Sequence, residues 1–271
     1  MKKAIVLAFL VITSGTITAL DFNPFEGPRP IAVLIQTDPW LMVIGSDTPL
    51  IALYEDGQVI YFNRKENTTV RYLHKQLNAD EIERVKRELS SFGDYEDTKP
   101  HYDLAPAVTD LPETRLYLSF DNTKLVTSVY GLKISDTKLP AVGIFGNDTK
   151  PDSLPDNIKN LHAYLTSLDF DGAEPWEPAW VEVMIWSYDY APEESIRWPD
   201  DWPGLDSPYT VKRGDSYSIF LPGQEIPRLR EFLKTRRSKG AIEIDGQKWA
   251  ASARYTFPGE PTWNRAFRGK N

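Results

Sequence analysis

Two apolar runs, Leu50–Tyr54 and Val59–Phe62, flank Asp56-Gly57, and a capped amphipathic helix follows them. An Asp-Gly pair in that position marks a hairpin, because a tight turn between twisted strands needs positive φ and glycine adopts it without a Cβ clash. A third strand is expected at Val70–Leu73. Asn78 then offers a helix cap, Glu81 stands three residues later as a capping box requires, and Asp80 suits the positive end of the helix dipole. Ile82, Val85, Leu89 and Phe92 recur on one stripe, with Glu83, Arg84, Lys86 and Arg87 opposite, and Gly93 ends the helix. Such a helix must bury one side, and the sheet begun by the hairpin is the nearest apolar surface.

The same grammar continues along the chain. Thr114–Phe120 and Lys124–Tyr130 form a hairpin around Asp121-Asn122, with Leu116, Leu118 and Phe120 alternating against Arg115, Tyr117 and Ser119. Pro155–Leu168 reads as a second helix, burying Ile158, Leu161, Leu165 and Leu168. Trp180–Tyr188 and Ser216–Leu221 are strands, Pro227–Arg237 is a third helix, and Ala241–Ile244 with Trp249–Phe257 close a hairpin around Asp245-Gly246. Trp40–Ile44 is a further short apolar run, after a proline- and glycine-rich lead-in over Asn23–Pro30. Strands that arrive in pairs make antiparallel sheets. The expected fold is therefore α+β: mostly antiparallel sheets built from hairpins, with amphipathic helices packed on one face in ββα-type units. A shift in composition near Asp169 divides the chain into units at 20–168 and 169–271. One continuous domain over 30–260 fits the pattern as well.

Lys2 and Lys3, the apolar run Ala4–Ile12 and the small residues to Ala19 have the order of a secretory signal peptide, with an apolar core of about 7–15 residues. Cleavage is expected after Ala19, since a membrane span needs ~20 apolar residues. The chain has no cysteine, which excludes a disulfide framework, a thiolate nucleophile and a lipid-modified leader cysteine. A disulfide-free exported protein fits a bacterial periplasm or medium better than a eukaryotic secretory route. The sequons at Asn67 and Asn147 read as surface-turn triplets. Removing Lys2 and Lys3 from the 31 basic residues leaves 29 against 39 acidic ones, net −10. That balance disfavours nucleic acid and, once the leader is gone, membrane surfaces. The basic run Arg228, Arg230, Lys234, Arg236, Arg237 and Lys239 reads as the solvated face of the third helix.

Leu53-Tyr54-Glu55-Asp56-Gly57-Gln58-Val59-Ile60-Tyr61, then Leu77-Asn78-Ala79-Asp80-Glu81, then Thr109-Asp110-Leu111-Pro112-Glu113-Thr114 resemble a group of uncharacterised bacterial secreted and lipoprotein domains. Those domains place an LYGDGxVxY hairpin before a capped helix and a TDxPT strand entry. The resemblance covers about residues 50–168 and carries no activity, so it assigns no catalytic residue. Its lipoprotein members have a leader cysteine; this chain lacks one and is expected to be soluble after export.

The chemistry-bearing candidates are few. Asp110 invites a ligand or general-base role, against the simpler role of accepting hydrogen bonds from nearby backbone amides. His101 and Asp103 form a local His-Asp pair, but no nucleophile elbow, zinc-protease helix or phosphate loop accompanies them. Asp169-Phe170-Asp171-Gly172 starts like a calcium loop and lacks the later ligands. No metal or cofactor is expected. The segment from Trp176 to Pro208 holds five tryptophans, and strand residues such as Trp186 are expected to fill the core. Trp198 and Trp202 lie in a loop with Asp200 and Asp201, near Tyr190. Loop indoles either fold back as plugs or form a stacking platform that carboxylates would complete for a sugar or peptide. The leading expectation is a non-enzymatic exported module binding a peptide, protein or glycan. The alternative is a carboxylate hydrolase, acting on carbohydrate, with its site near that loop.

Overall fold

The computed structural model describes residues 22–37, 39, 47–65, 70–132 and 150–269. The leader, the Trp40–Ile44 run and both sequons lie outside the described residues. The fold is α+β, with two mostly antiparallel sheets of eight and six strands and four helices.

The first sheet is built from β1 (Pro30–Thr37), β2 (Pro49–Tyr54), β3 (Gln58–Phe62), β4 (Tyr72–Gln76), β5 (His101–Asp103), β6 (Glu113–Phe120), β7 (Thr123–Tyr130) and β8 (Glu174–Pro175). They lie side by side in the order β5-β7-β6-β1-β2-β3-β4-β8. β1 follows directly on the lead-in and stands at the centre, between β2 and β6. Pro30 to Ile35 are all buried, because both faces of the sheet are covered there. A strand covered on both faces does not alternate, so the period-2 signal is absent. The β2–β3 turn holds Gly57 at φ 88°, where a Cβ would stand 2.5 Å from the Leu77 carbonyl oxygen.

Two helices cover one face. In α1 (Ala79–Ser91) the capping box is complete: Glu81 N donates to Asn78 Oδ1 at 3.0 Å, and Asn78 N donates to Glu81 Oε2 at 2.8 Å. Its Ile82, Val85 and Leu89 join Ile158, Leu161 and Leu165 of α2 (Asp156–Ser167) over Leu34, Leu53 and Leu116. The Thr109–Thr114 entry is held by Tyr130, whose hydroxyl accepts from Leu111 N at 3.0 Å and donates to Val108 O at 2.9 Å. Asp110 contributes through its backbone, at φ 61°, rather than by accepting amide hydrogen bonds. Asp169 accepts from the Tyr61 hydroxyl at 3.0 Å, and Gly172 takes φ 69° in the turn that follows.

The second sheet contains β9 (Trp180–Ser187), β10 (Glu193–Arg197), β11 (Thr210–Arg213), β12 (Ser216–Pro222), β13 (Gly240–Ile244) and β14 (Gln247–Tyr255), ordered β10-β13-β14-β9-β12-β11. The β13–β14 turn has Asp245 at φ 51° and Gly246 at φ 74°, the paired positive values of a type I′ hairpin. α3 (Ile226–Thr235) packs against the second sheet's core through Ile226 and Leu229. Parallel pairing occurs at the edges only, β5 with β7 and β10 with β13.

A fourth helix, α4 (Glu260–Arg268), crosses the face of the first sheet away from α1 and α2. Its Trp263 is 1% exposed among Val33, Ile35, Tyr54 and Tyr117, and Trp176 and Phe257 complete this cluster. Beside it lies a buried charge network. Arg254 reaches Glu182 and Glu260, each at 2.7 Å. Glu182 also accepts from Ser218 Oγ, and Arg213 approaches it at 3.4 Å. Glu182 alternates along β9 with the apolar Val181, Val183 and Ile185, a pattern that predicts an exposed side chain, yet it is 1% exposed. The lead-in explains this: Phe22 packs on Trp180, Tyr209 and Phe220, and Phe25 lies on Phe220 and under Arg254.

Candidate functional site

The tryptophan loop is closed. Trp198 is 5% exposed and Trp202 6%. Their rings meet edge to face at 4.8 Å, and both pack on Phe232 of α3. Trp198 donates its indole N–H to Pro203 O at 3.1 Å, and Trp202 donates to Glu225 Oε2 at 2.8 Å. Both polar edges are therefore satisfied inside the protein, and Arg228 sits 4.8 Å above the Trp202 ring. The indoles are plugs. Trp186, expected in the core, is instead only half-buried.

The acids beside the loop are also engaged. Asp201 takes two bonds from Arg228, at 2.6 and 2.7 Å, and those bonds hold its carboxyl below the usual range. Asp200 pairs with Arg197 at 2.9 Å. A depression of about 300 Å³ between this loop and the β13–β14 turn is bordered by Asp200, Glu243 and Asp245, with Arg197 at its rim. Tyr190 is 81% exposed, set edge-on to Tyr188 at 5.0 Å, and does not border that depression.

A larger cleft, about 470 Å³, opens between α4 and the β5-β7-β6 edge of the first sheet. Strand register builds one wall. Arg115 stands opposite Ser128, and Ser128 stands opposite His101, so three polar side chains form a row across β6, β7 and β5. His101 Nδ1 lies 2.7 Å from Ser128 Oγ. The same nitrogen is 3.7 Å from Glu113 Oε1, while Glu113 Oε2 accepts from Arg115 Nε at 2.8 Å. Which of the two donates in the Ser128 contact depends on the imidazole tautomer.

The other wall is one face of α4, where Asn264, Phe267 and Arg268 fall at helical spacing. Phe267 lies under the Arg115 guanidinium at 5.9 Å. Asn264 leans back to donate to Glu260 Oε1 at 3.3 Å, linking the cleft to the buried charge network. Asp47, just before β2, completes the lining. Its Oδ1 is buried without a hydrogen-bond partner among the described residues, and its charge acts on both Arg254 and Glu260. Burial raises the Glu260 carboxyl above its ordinary value, although Arg254 opposes the shift.

Of the residues singled out from sequence, the cleft contains His101, and its partner is not Asp103. Asp103 turns away to accept from Ala105 N at 3.0 Å. Arg115 was legible as an alternating strand residue, Glu113 as part of the strand-entry motif, and Ser128 only as a position in the expected strand Lys124–Tyr130. Asn264, Phe267 and Arg268 were missed with α4, whose start is marked by Gly259-Glu260-Pro261, with proline in the first turn, and by the Trp263–Phe267 spacing. Among the described residues no group of three or more His, Asp or Glu is placed to hold a metal ion. No helix among them is long and apolar enough to cross a membrane. No protein-family model, curated protein or solved structure matches the chain.

Proposed function

We propose that this is an exported binding protein whose ligand seats in the cleft between α4 and the β5-β7-β6 edge. One observation carries the reading: hydrogen-bonding side chains from β5, β6, β7, α4 and the approach to β2 converge on about 470 Å³, with Phe267 and Val126 as apolar wall. A few placed polar groups around an apolar surface are what a small-molecule or peptide-end site requires. The cleft now carries the expectation of a peptide or glycan ligand that the sequence had attached to Trp198 and Trp202. Export rests on the leader-like first 19 residues; amino-terminal sequencing of the protein recovered from a bacterial periplasm or medium is expected to start at Leu20.

The hydrolase alternative draws on the Ser128–His101 contact. It is weakened by geometry, since Glu113 approaches the same ring nitrogen that meets Ser128, and no carboxylate among the described residues is bonded to the other nitrogen. Asp200 and Asp201 of the tryptophan loop are engaged by arginines.

Saturation-transfer NMR with mixtures of amino acids, short peptides and oligosaccharides tests the site. A response that disappears in Arg115→Ala and persists in the Asp200→Asn/Asp201→Asn pair supports the cleft. A response lost only in the loop pair, or substrate turnover abolished by Ser128→Ala, overturns it. Silence from all three classes overturns it equally.

A further inference from the structure

We infer that the cleft takes a small zwitterion, an α-amino acid or a very short peptide. This rests on the cleft being the binding site, and it follows from which charges the protein leaves unmatched there.

Asp47 lines the cleft, and its charge acts on the buried network beside it, where with Glu182 and Glu260 it makes three carboxylates around two guanidiniums, Arg254 and Arg213. Glu182 and Glu260 hold the close contacts. Asp47 is the surplus acid, and its Oδ1 is buried with no donor among the described residues. A carboxylate held partly out of water is poorly screened, so a positive charge brought beside it by a ligand gains more than one offered at the surface. An ammonium group meets that surplus. A neutral hydroxyl leaves the charge standing.

The opposite imbalance lies at the rim. Arg268 makes no ion pair among the described residues, and Arg115, which also lines the cleft, is bonded to Glu113 through Nε and lies over Phe267. Two guanidiniums are well matched to a carboxylate, which each binds in a fork. An acid-seeking rim and an ammonium-seeking Asp47 in one cleft describe the two ends of an amino acid. Phe267 and Val126 leave apolar surface for its side chain.

The test uses the full chain with L-phenylalanine, N-acetyl-L-phenylalanine, L-phenylalanine amide and glucose, read by calorimetry or saturation-transfer NMR. Phenylalanine is expected to bind, and each derivative, lacking one charge, about tenfold or more weaker. Asp47→Asn is expected to weaken phenylalanine and leave the N-acetyl compound unchanged. Arg268→Ala, at an exposed position where folding is not at risk, is expected to weaken phenylalanine and leave the amide unchanged. Equal binding of phenylalanine and its derivatives, or of glucose, overturns the zwitterion; if that binding is still lost in Arg115→Ala, the cleft itself stands. No binding by any of the four overturns the inference, and the broader screen then decides whether the cleft binds another class.

Discussion

Arg254 on β14 lies 2.7 Å from Oε1 of Glu260 in the first turn of α4, and both side chains are almost wholly buried. Burial works against the Arg254 charge, but Glu260 and Glu182 overcome it and hold its proton more tightly than in water. Removing the guanidinium strands two buried carboxylates. Arg254→Ala is expected to cost about 3–5 kcal/mol in urea unfolding, whereas Arg213→Ala, which removes a half-exposed guanidinium and leaves Glu182 its bonds to Arg254 and Ser218, is expected to cost about 1 kcal/mol.

Glu260 gives this network a pH signature. Its folded carboxyl is raised by burial, so in the window above the ordinary glutamate range the folded state holds more protons than the unfolded one. Stability from this group is therefore complete below the unfolded value and declines as pH rises through the folded one. Glu260→Gln is expected to flatten that decline in melting curves taken from pH 4 to 8. A decline of the same slope in the variant would remove Glu260 as its source.

Asp201 behaves in the opposite sense. Arg228 lowers its carboxyl, so its contribution is present above the ordinary aspartate range and is lost as pH falls through the lowered value. In Arg228→Ala the Asp201 carboxyl is expected to titrate upward into the usual range, followed by carbon-detected NMR.

Because Trp198 and Trp202 plug the second core, Trp202→Ala is expected to cost about 3–5 kcal/mol. A milder variant isolates exposure from stability. In Trp198→Phe/Trp202→Phe the remaining tryptophan fluorescence should be more open to acrylamide than in the parent, because two sheltered emitters have been removed.

Gly57 combines φ 88° with a carbonyl 2.5 Å from where a Cβ would stand. Gly57→Ala is expected to lose about 1–3 kcal/mol. A substitution that left the melting temperature unchanged would mean that the β2–β3 turn can move off Leu77.

Much of the fold was legible because local rules and tertiary packing agree. The Asn78–Glu81 box, the two amphipathic stripes on α1 and α2, and the Asp56-Gly57 and Asp245-Gly246 turns all appear where their residues demand. β1 was hidden by its own centrality, since Ile31 to Ile35 are buried on both faces and show no alternation. Glu182 inverted an alternating pattern because the lead-in roofs that side of the second sheet. The cleft was hidden for another reason: the β6–β7 hairpin gives Arg115 and Ser128, but the row is completed by His101 on β5, and parallel β5–β7 pairing has no turn to announce it. The tryptophan loop left plug and platform open because indoles next to prolines and acids suit either, while Phe232 on α3 and Glu225 just before it, the groups that bury them, come 23 to 34 residues later.

The lead-in and α4 impose an order on synthesis. Phe22 and Phe25 leave the ribosome before Trp180, Tyr209 and Phe220 exist, and Phe25 O waits for Gly259 N, its partner at 2.8 Å. The first sheet can therefore pair its strands while its entrance is still loose. Only when the chain has grown past Gly259 do the opening residues find their seat, and α4 then lays down the second wall of the cleft. A nascent chain halted at Tyr255 would hold nearly every strand of both sheets, yet its earliest residues would lack their last anchor and it would have no place for a ligand to bind.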